Sequence, residues 1–217
     1  LHRLLHHEQR GTRVDAEQPL KGFGRRVVKP AALGVAGVVD EDIETAEGCH
    51  GGRHRAGGKR NIHQVARQGL DAAQRLQPRR DVGFLFVGRG SDAERLKTAA
   101  AAQNLDNVLF RDEIHPDEIP ALYAQCSAGI VALDHRHRSH NIPGKFLTYM
   151  QSGLPVLANV NAGNDLAGMI RSEKVGVVCE SNRIDELEAL TLELLDQVDH
   201  DSGLPERCRA LFVRKFH

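Results

Sequence analysis

Tryptophan is absent from the 217-residue chain, and two Tyr and seven Phe bring its aromatics to only 4%. Eight of those nine rings lie in residues 81–217, with Phe23 as the exception. An excess of either charge is missing too, since 29 Lys+Arg balance 29 Asp+Glu. The balance hides a division: residues 1–80 carry 15 basic and 9 acidic side chains and half of the 12 histidines, whereas residues 81–217 carry 14 and 20. The basic charges of the first part are scattered singly and lack interleaved aromatics, so a nucleic-acid partner is not expected. No apolar run approaches the ~18–20 residues of a membrane-spanning helix. The opening LHRLLHHEQR lacks the apolar centre of a signal peptide, and Leu1 in place of an initiator Met suits a piece of a longer protein. The four cysteines (Cys49, Cys126, Cys179, Cys208) are far apart with no C-x-x-C pair. That is the usage of reduced thiols in a cytoplasmic protein, not of a disulfide framework.

What is present divides in the same place. Apolar residues in 1–60 hold neither a period of 2 nor one of 3.6 for long. Ala31–Val39 reads either as a buried strand or as a helix weakened by glycine. An acidic stretch, Asp40–Gly48, then gives way to CHGGRHRAGGKR. Such Gly/Arg/His-rich text resembles GC-rich DNA read in a wrong frame or on the opposite strand; a flexible natural extension is the alternative. The expected organisation is therefore an irregular segment over 1–60 followed by one domain over 61–217. Residues 61–78 fit a helix with Ile62, Val65, Leu70 and Leu76 sharing part of one face.

From Asp81 onward the elements are regular. Val82–Val87 (VGFLFV) is a continuous apolar run closed by Gly88-Arg89-Gly90, as a buried parallel strand would be. Ser91 can cap a helix reaching about Gln103. The pattern then predicts a strand at Val108–Phe110, a helix over Pro116–Gln125 and a strand at Ala128–Leu133. A loop over Asp134–Ile142 leads to a helix ending at Ser152 and a strand at Pro155–Ala158. A helix over Asn164–Ser172, a strand at Gly176–Cys179, a helix over Ile184–Val198 and a terminal helix over Pro205–His217 complete the reading. Strands alternating with helices indicate an α/β fold, a Rossmann-like parallel sheet with helices on both faces.

Two stretches suit a phosphate-bearing ligand. A strand–glycine turn–helix unit at Gly88-Arg89-Gly90 brings backbone close to phosphate, although GRGSDA puts Ala93 where a third dinucleotide-type glycine belongs. The plainer alternative is that these glycines only close a tight turn. The stronger stretch is SHNIPGKFLTYMQSGLPVLA (Ser139–Ala158), a polar loop that hands over to a helix amino end with Lys145 in its first turn. Unpaired N–H groups and the helix dipole favour negative charge there. Phe146, Leu147 and Met150 are expected in the core, leaving His140, Asn141, Gly144, Lys145 and Thr148 for a ligand. Asn161–Asp165 is a second polar, glycine-containing turn of the same kind. The histidines His2, His6, His7, His50 and His54 with Cys49 match no metal-ligand template, so no metal is expected.

DVGFLFVGRGSDAERLK, LDNVLFRDEIHPDEIPALYAQCSAGIVAL, HNIPGKFLTYMQSGLPVLA, and GNDLAGMI followed by GVVC occur in an order that resembles the carboxy-terminal half of a family 4, GT-B-type glycosyltransferase. Sequences of this kind occur among enzymes building O-antigen, capsule and colanic-acid-like polysaccharides. Residues 1–60 have no counterpart in the resemblance. It implies that this half binds a nucleotide-diphosphate sugar as donor substrate, without an obligatory metal or a cofactor, and that an amino-terminal half binds a glycan or lipid-linked acceptor. Gly88, Arg89 and Gly90 would border the donor cleft, Arg111 would run past the base, and His140, Asn141, Ile142, Pro143 and Gly144 would cover the diphosphate with Lys145. Thr148 would reach the ribose. Two glutamates of the common family pattern fall here on His140 and Thr148, so no catalytic residue is assigned. The resemblance further implies a place at the inner membrane face, and little activity for a chain without the acceptor half. A NAD-dependent Rossmann oxidoreductase and a non-catalytic nucleotide-binding fragment are the alternatives.

Overall fold

The computed structural model describes residues 33–38, 68–88, 91–133 and 142–216. Among the described residues six strands form one sheet: β1 (Leu33–Val38), β2 (Val82–Val87), β3 (Val108–Arg111), β4 (Ala128–Ala132), β5 (Val156–Asn159) and β6 (Gly176–Cys179). Their order is β3-β2-β1-β4-β5-β6 and every pairing is parallel. The helices are α1 (68–75), α2 (Ser91–Ala102), α3 (Ile119–Tyr123), α4 (Gly144–Ser152), α5 (Asp165–Glu173), α6 (Ile184–His200) and α7 (Leu204–Phe216).

Continuous apolar runs become strands because the sheet is covered on both sides. All six residues of β2 are buried. Along β5 the two-residue period sends Leu157 to one face and Val156 and Ala158 to the other. On the first face Leu70 and Leu76 of the α1 region, Leu96 of α2 and Leu194 of α6 pack with Phe84 and Leu157. On the second, Phe146, Tyr149 and Met150 of α4 meet Ile170 of α5 and Leu211 of α7 over Val131 and Val178. The terminal basic segment is thus a helix docked on α4, as its amphipathic pattern predicts. Gly153 ends α4 in the left-handed region (φ 74°), its N–H bonded to the Met150 carbonyl, and turns the chain directly into β5.

Two observations differ from the sequence reading. Leu33–Val38 lies inside the segment expected to be irregular, yet it forms β1 in the middle of the sheet, paired with β2 from Leu33↔Val82 to Val38↔Val87. The sheet therefore extends ahead of the boundary expected at residue 61. Pro116–Gln125 is also not one helix: a 3-10 turn at Pro116–Glu118 precedes α3. Pro120 has no N–H to give to the Pro116 carbonyl, so an α-helical first turn cannot close there. The histidine and cysteine positions between His2 and His54 lie outside the described residues, as do the questions of reading frame and order over 1–32 and 39–60.

Candidate functional site

Strand order reverses between β1 and β4: the connections from β1 build outward to β3, and those from β4 build outward to β6. In an open parallel sheet the loops at the carboxyl ends of the strands on either side of such a reversal diverge and leave a crevice. Of the sequence-derived residues, Gly88, Arg111, Ile142, Pro143, Gly144, Lys145 and Thr148 are described, all after the carboxyl ends of strands or at their last residue. Gly88 follows β2 and Arg111 ends β3, with the Gly88 N–H donating to the Arg111 carbonyl at 3.1 Å. Across β1, the end of β4 leads to Ile142, Pro143, Gly144, Lys145 and Thr148. Arg89, Gly90, His140 and Asn141 lie outside the described residues.

The amino end of α4 has the chemistry of an anion site. Pro143 is its N-cap and supplies no side-chain hydrogen bond, and the first turn contains no acidic residue. In α5, by contrast, Asn164 caps the Leu166 N–H at 2.9 Å and Asp165 adds negative charge, and α6 begins with Asp185 and Glu186. Positive potential at the start of α4 is thus left uncompensated by its own sequence. A Cβ built on Gly144 meets no atom within 4 Å among the described residues, so their packing does not require glycine there. Thr148 is exposed and its hydroxyl donates to the Lys145 carbonyl at 3.0 Å, leaving the oxygen able to accept.

Two groups near the crevice escaped the sequence-derived site. Asn159, 2% exposed at the end of β5, donates from Nδ2 to Gln68 Oε1 at 2.7 Å, and Gln68 donates onward to Asn182 at 3.4 Å. The Asn159 Oδ1 is buried without a hydrogen-bond partner. Their only sequence signal is an asparagine closing the apolar run LPVLA. Glu180, just after β6, accepts from the Gly163 N–H at 3.1 Å and pairs with Arg171 at 2.6 Å. A hollow of about 210 Å³ lies at the opposite edge of the sheet, where Cys126, Leu154, Pro155, Val198 and Leu204 meet before β4 and β5. It is separated from the crevice by the length of the strands.

The chain matches none of the curated proteins at the level taken as significant. Among solved structures, WaaG, a glycosyltransferase involved in lipopolysaccharide biosynthesis, superposes with a TM-score of 0.62 at 16% identity, over 86% of this chain and 44% of that one. The C-terminal domain of a glycosyl transferase group 1 family protein (LpcC) from Francisella tularensis gives 0.59 at 17% identity, over 86% and 87%. A mutant of TarM from S. aureus, in complex with Fondaparinux, alpha-GlcNAc-glycerol and UDP, gives 0.58 at 14% identity, over 89% and 35%. The chain thus spans less than half the length of WaaG but nearly all of an isolated carboxy-terminal domain, and the shared fold is the carboxy-terminal half of a GT-B architecture. The family model for "Glycosyl transferases group 1" matches residues 60–197, which include the glycine turn after β2, the α4 amino end and the turn after β5. The chain belongs to the group 1 glycosyl transferases.

Proposed function

We propose that this chain forms the donor-binding half of a family 4 glycosyltransferase that moves a sugar from a nucleotide-diphosphate sugar to a hydroxyl of a glycan or lipid-linked acceptor in surface polysaccharide synthesis. The observation that carries the reading is the uncapped amino end of α4, with Gly144 open to approach and Lys145 in the first turn, beside the strand-order reversal. UDP in the TarM complex supports a nucleoside diphosphate as the ligand class. In transfer, the bond from the sugar's anomeric carbon to the diphosphate breaks, a bond to the acceptor oxygen forms, and the acceptor hydroxyl loses its proton. Negative charge grows on the departing diphosphate, where Lys145, the N–H groups around Gly144 and the α4 dipole stabilise it. The reading assigns Gly88, Arg89, Gly90 and Arg111 to the nucleotide, His140, Asn141, Ile142 and Pro143 to the diphosphate, and Thr148 to the ribose. The reading assigns no role to a metal or a cofactor. It places the protein in the cytoplasm at the inner membrane face; among the described residues no helix is long and apolar enough to cross a membrane.

Donor binding by the chain itself is the test. UDP or GDP raises the melting temperature, and Lys145→Ala weakens binding about 10- to 100-fold, the loss expected for a charge-assisted contact. No shift with any nucleoside diphosphate overturns the reading, and a shift with NAD(H) alone moves it to a dinucleotide enzyme.

A further inference from the structure

Glu180 occupies a position that neither the fold nor the α4 site explains. Pairing of Ala132 with Asn159 brings the carboxyl ends of β4 and β5 level, and the Leu133 N–H donates to the Asn159 carbonyl at 2.9 Å, one residue past β4. The chain leaving β5 therefore starts level with the carboxyl end of β4, next to it in the sheet. It makes a tight turn over Asn161–Asn164, closed by the Asn164 N–H on the Asn161 carbonyl at 3.1 Å. Gly163 sits at the third position with φ 77°, the left-handed geometry that favours glycine there. Among the described residues no atom lies within 4 Å of a Cβ built on it.

The backbone of the turn is pinned. One carboxylate oxygen of Glu180 accepts from the Gly163 N–H at 3.1 Å, and the other meets the Arg171 guanidinium at 2.6 Å. The Glu180 side chain is only 25% exposed, against 54% for Arg171. A partly buried carboxylate is stabilised when its charge is matched. Arg171, on α5, supplies the match, which leaves the second oxygen to the turn. Asn164 then caps α5 from the same turn. Glu180, Arg171 and Asn164 thus link the turn, α5 and the end of β6.

We propose that Glu180 is a positioning residue, which holds Gly163 and so fixes the Asn161–Asn164 turn as the second wall of the nucleotide-sugar crevice, facing the amino end of α4. The inference rests on the donor-binding reading above. It separates two roles of one carboxylate. The oxygen on Gly163 sets the wall, and the oxygen on Arg171 contributes to stability.

The test is UDP titration of the 217-residue chain by calorimetry, alongside thermal melting, for wild type, Glu180→Ala, Glu180→Gln and Arg171→Ala. Glutamine keeps an acceptor for the Gly163 N–H while giving up the charge, and Arg171→Ala gives up the ion pair alone. Affinity is expected to fall about tenfold in Glu180→Ala and to stay within about threefold of wild type in the other two, as one lost hydrogen bond at a wall predicts. All three variants melt lower. Amide exchange at Gly163 accelerates only in Glu180→Ala. If wild type binds no nucleotide, the donor-binding reading fails and takes this one with it. If wild type binds and Glu180→Ala binds equally well, or if affinity tracks melting temperature through all three variants, the inference alone is overturned.

Discussion

Gly129, inside β4, decides how closely α4 can lie on the sheet. A Cβ at that position would stand 2.6 Å from the ring of Tyr149, which is itself fully buried and stacked at a tilt 5.0 Å from Tyr123. The ring occupies the space that a side chain would need, and α4 is seated against the strand as a result. Gly129→Ala is expected to cost about 1–3 kcal/mol, the usual penalty for overpacking a filled core. Urea denaturation measures it, and Gly144→Ala, where no described residue stands within 4 Å, serves as the comparison that should be far milder. Because the displaced ring belongs to α4, the Gly129 variant is also expected to weaken the nucleotide binding proposed for the amino end of that helix. A glycine within an apolar strand signals close approach by something. AGIVAL names the strand, but that the neighbour is an aromatic ring from a helix twenty residues later follows only from the packing.

Among the elements, α7 shows how an ion pair sets a corner. Arg207 grips Asp201 through Nη1 and Nη2, at 3.1 and 2.5 Å, and also donates from Nε to the Lys174 carbonyl at 3.1 Å. The link joins the α6–α7 turn to the end of α5. The Arg207 hydrogen bond holds the Asp201 carboxyl below its ordinary range. A depressed carboxylate contributes stability above its unfolded value, ~4, and loses it as pH falls through the folded value. Wild type should therefore exceed Asp201→Asn in melting temperature at neutral pH, with the gap closing below about pH 4. The gap is modest because both partners are partly exposed. Most elements of this half were legible. The VGFLFV run, the GVVC run and the 3.6-residue spacing of α4 and α6 carry their periods openly, because one sheet and two helix layers impose them. The segment 116–125 was not, since a proline four residues after another changes the winding without disturbing the apolar spacing. Nor was the Glu180 pin, in which the pairing of a carboxylate with a backbone N–H seventeen residues earlier has no local pattern. Of the α4 site, residue types and order were readable; the absence of a cap acquires meaning only from its place beside the strand-order reversal.

At the scale of the whole molecule, β1 is the element on which the sheet depends and the one its own residues disclose least. LGVAGV has two glycines and few branched side chains, so it fits a strand and a weakened helix alike; tertiary pairing settles the choice. Six register pairs join it to β2, and Val35↔Ala128 and Ala36↔Gly129 join it to β4. The family match begins at residue 60, some twenty residues beyond this strand. A polypeptide cut at residue 60 would keep every residue of that match and every candidate ligand contact, yet β2 and β4 would each present an unpaired row of backbone donors and acceptors bordered by apolar side chains. Exposed edges of that kind recruit strands from other molecules. The cut chain is expected to self-associate into β-rich aggregates, seen as light scattering and thioflavin binding that grow with concentration, while the 217-residue chain under the same conditions stays clear. A clear, monomeric cut chain would show that β2 and β4 close the gap themselves. The central strand is thus a guard against aggregation as much as a support for the crevice.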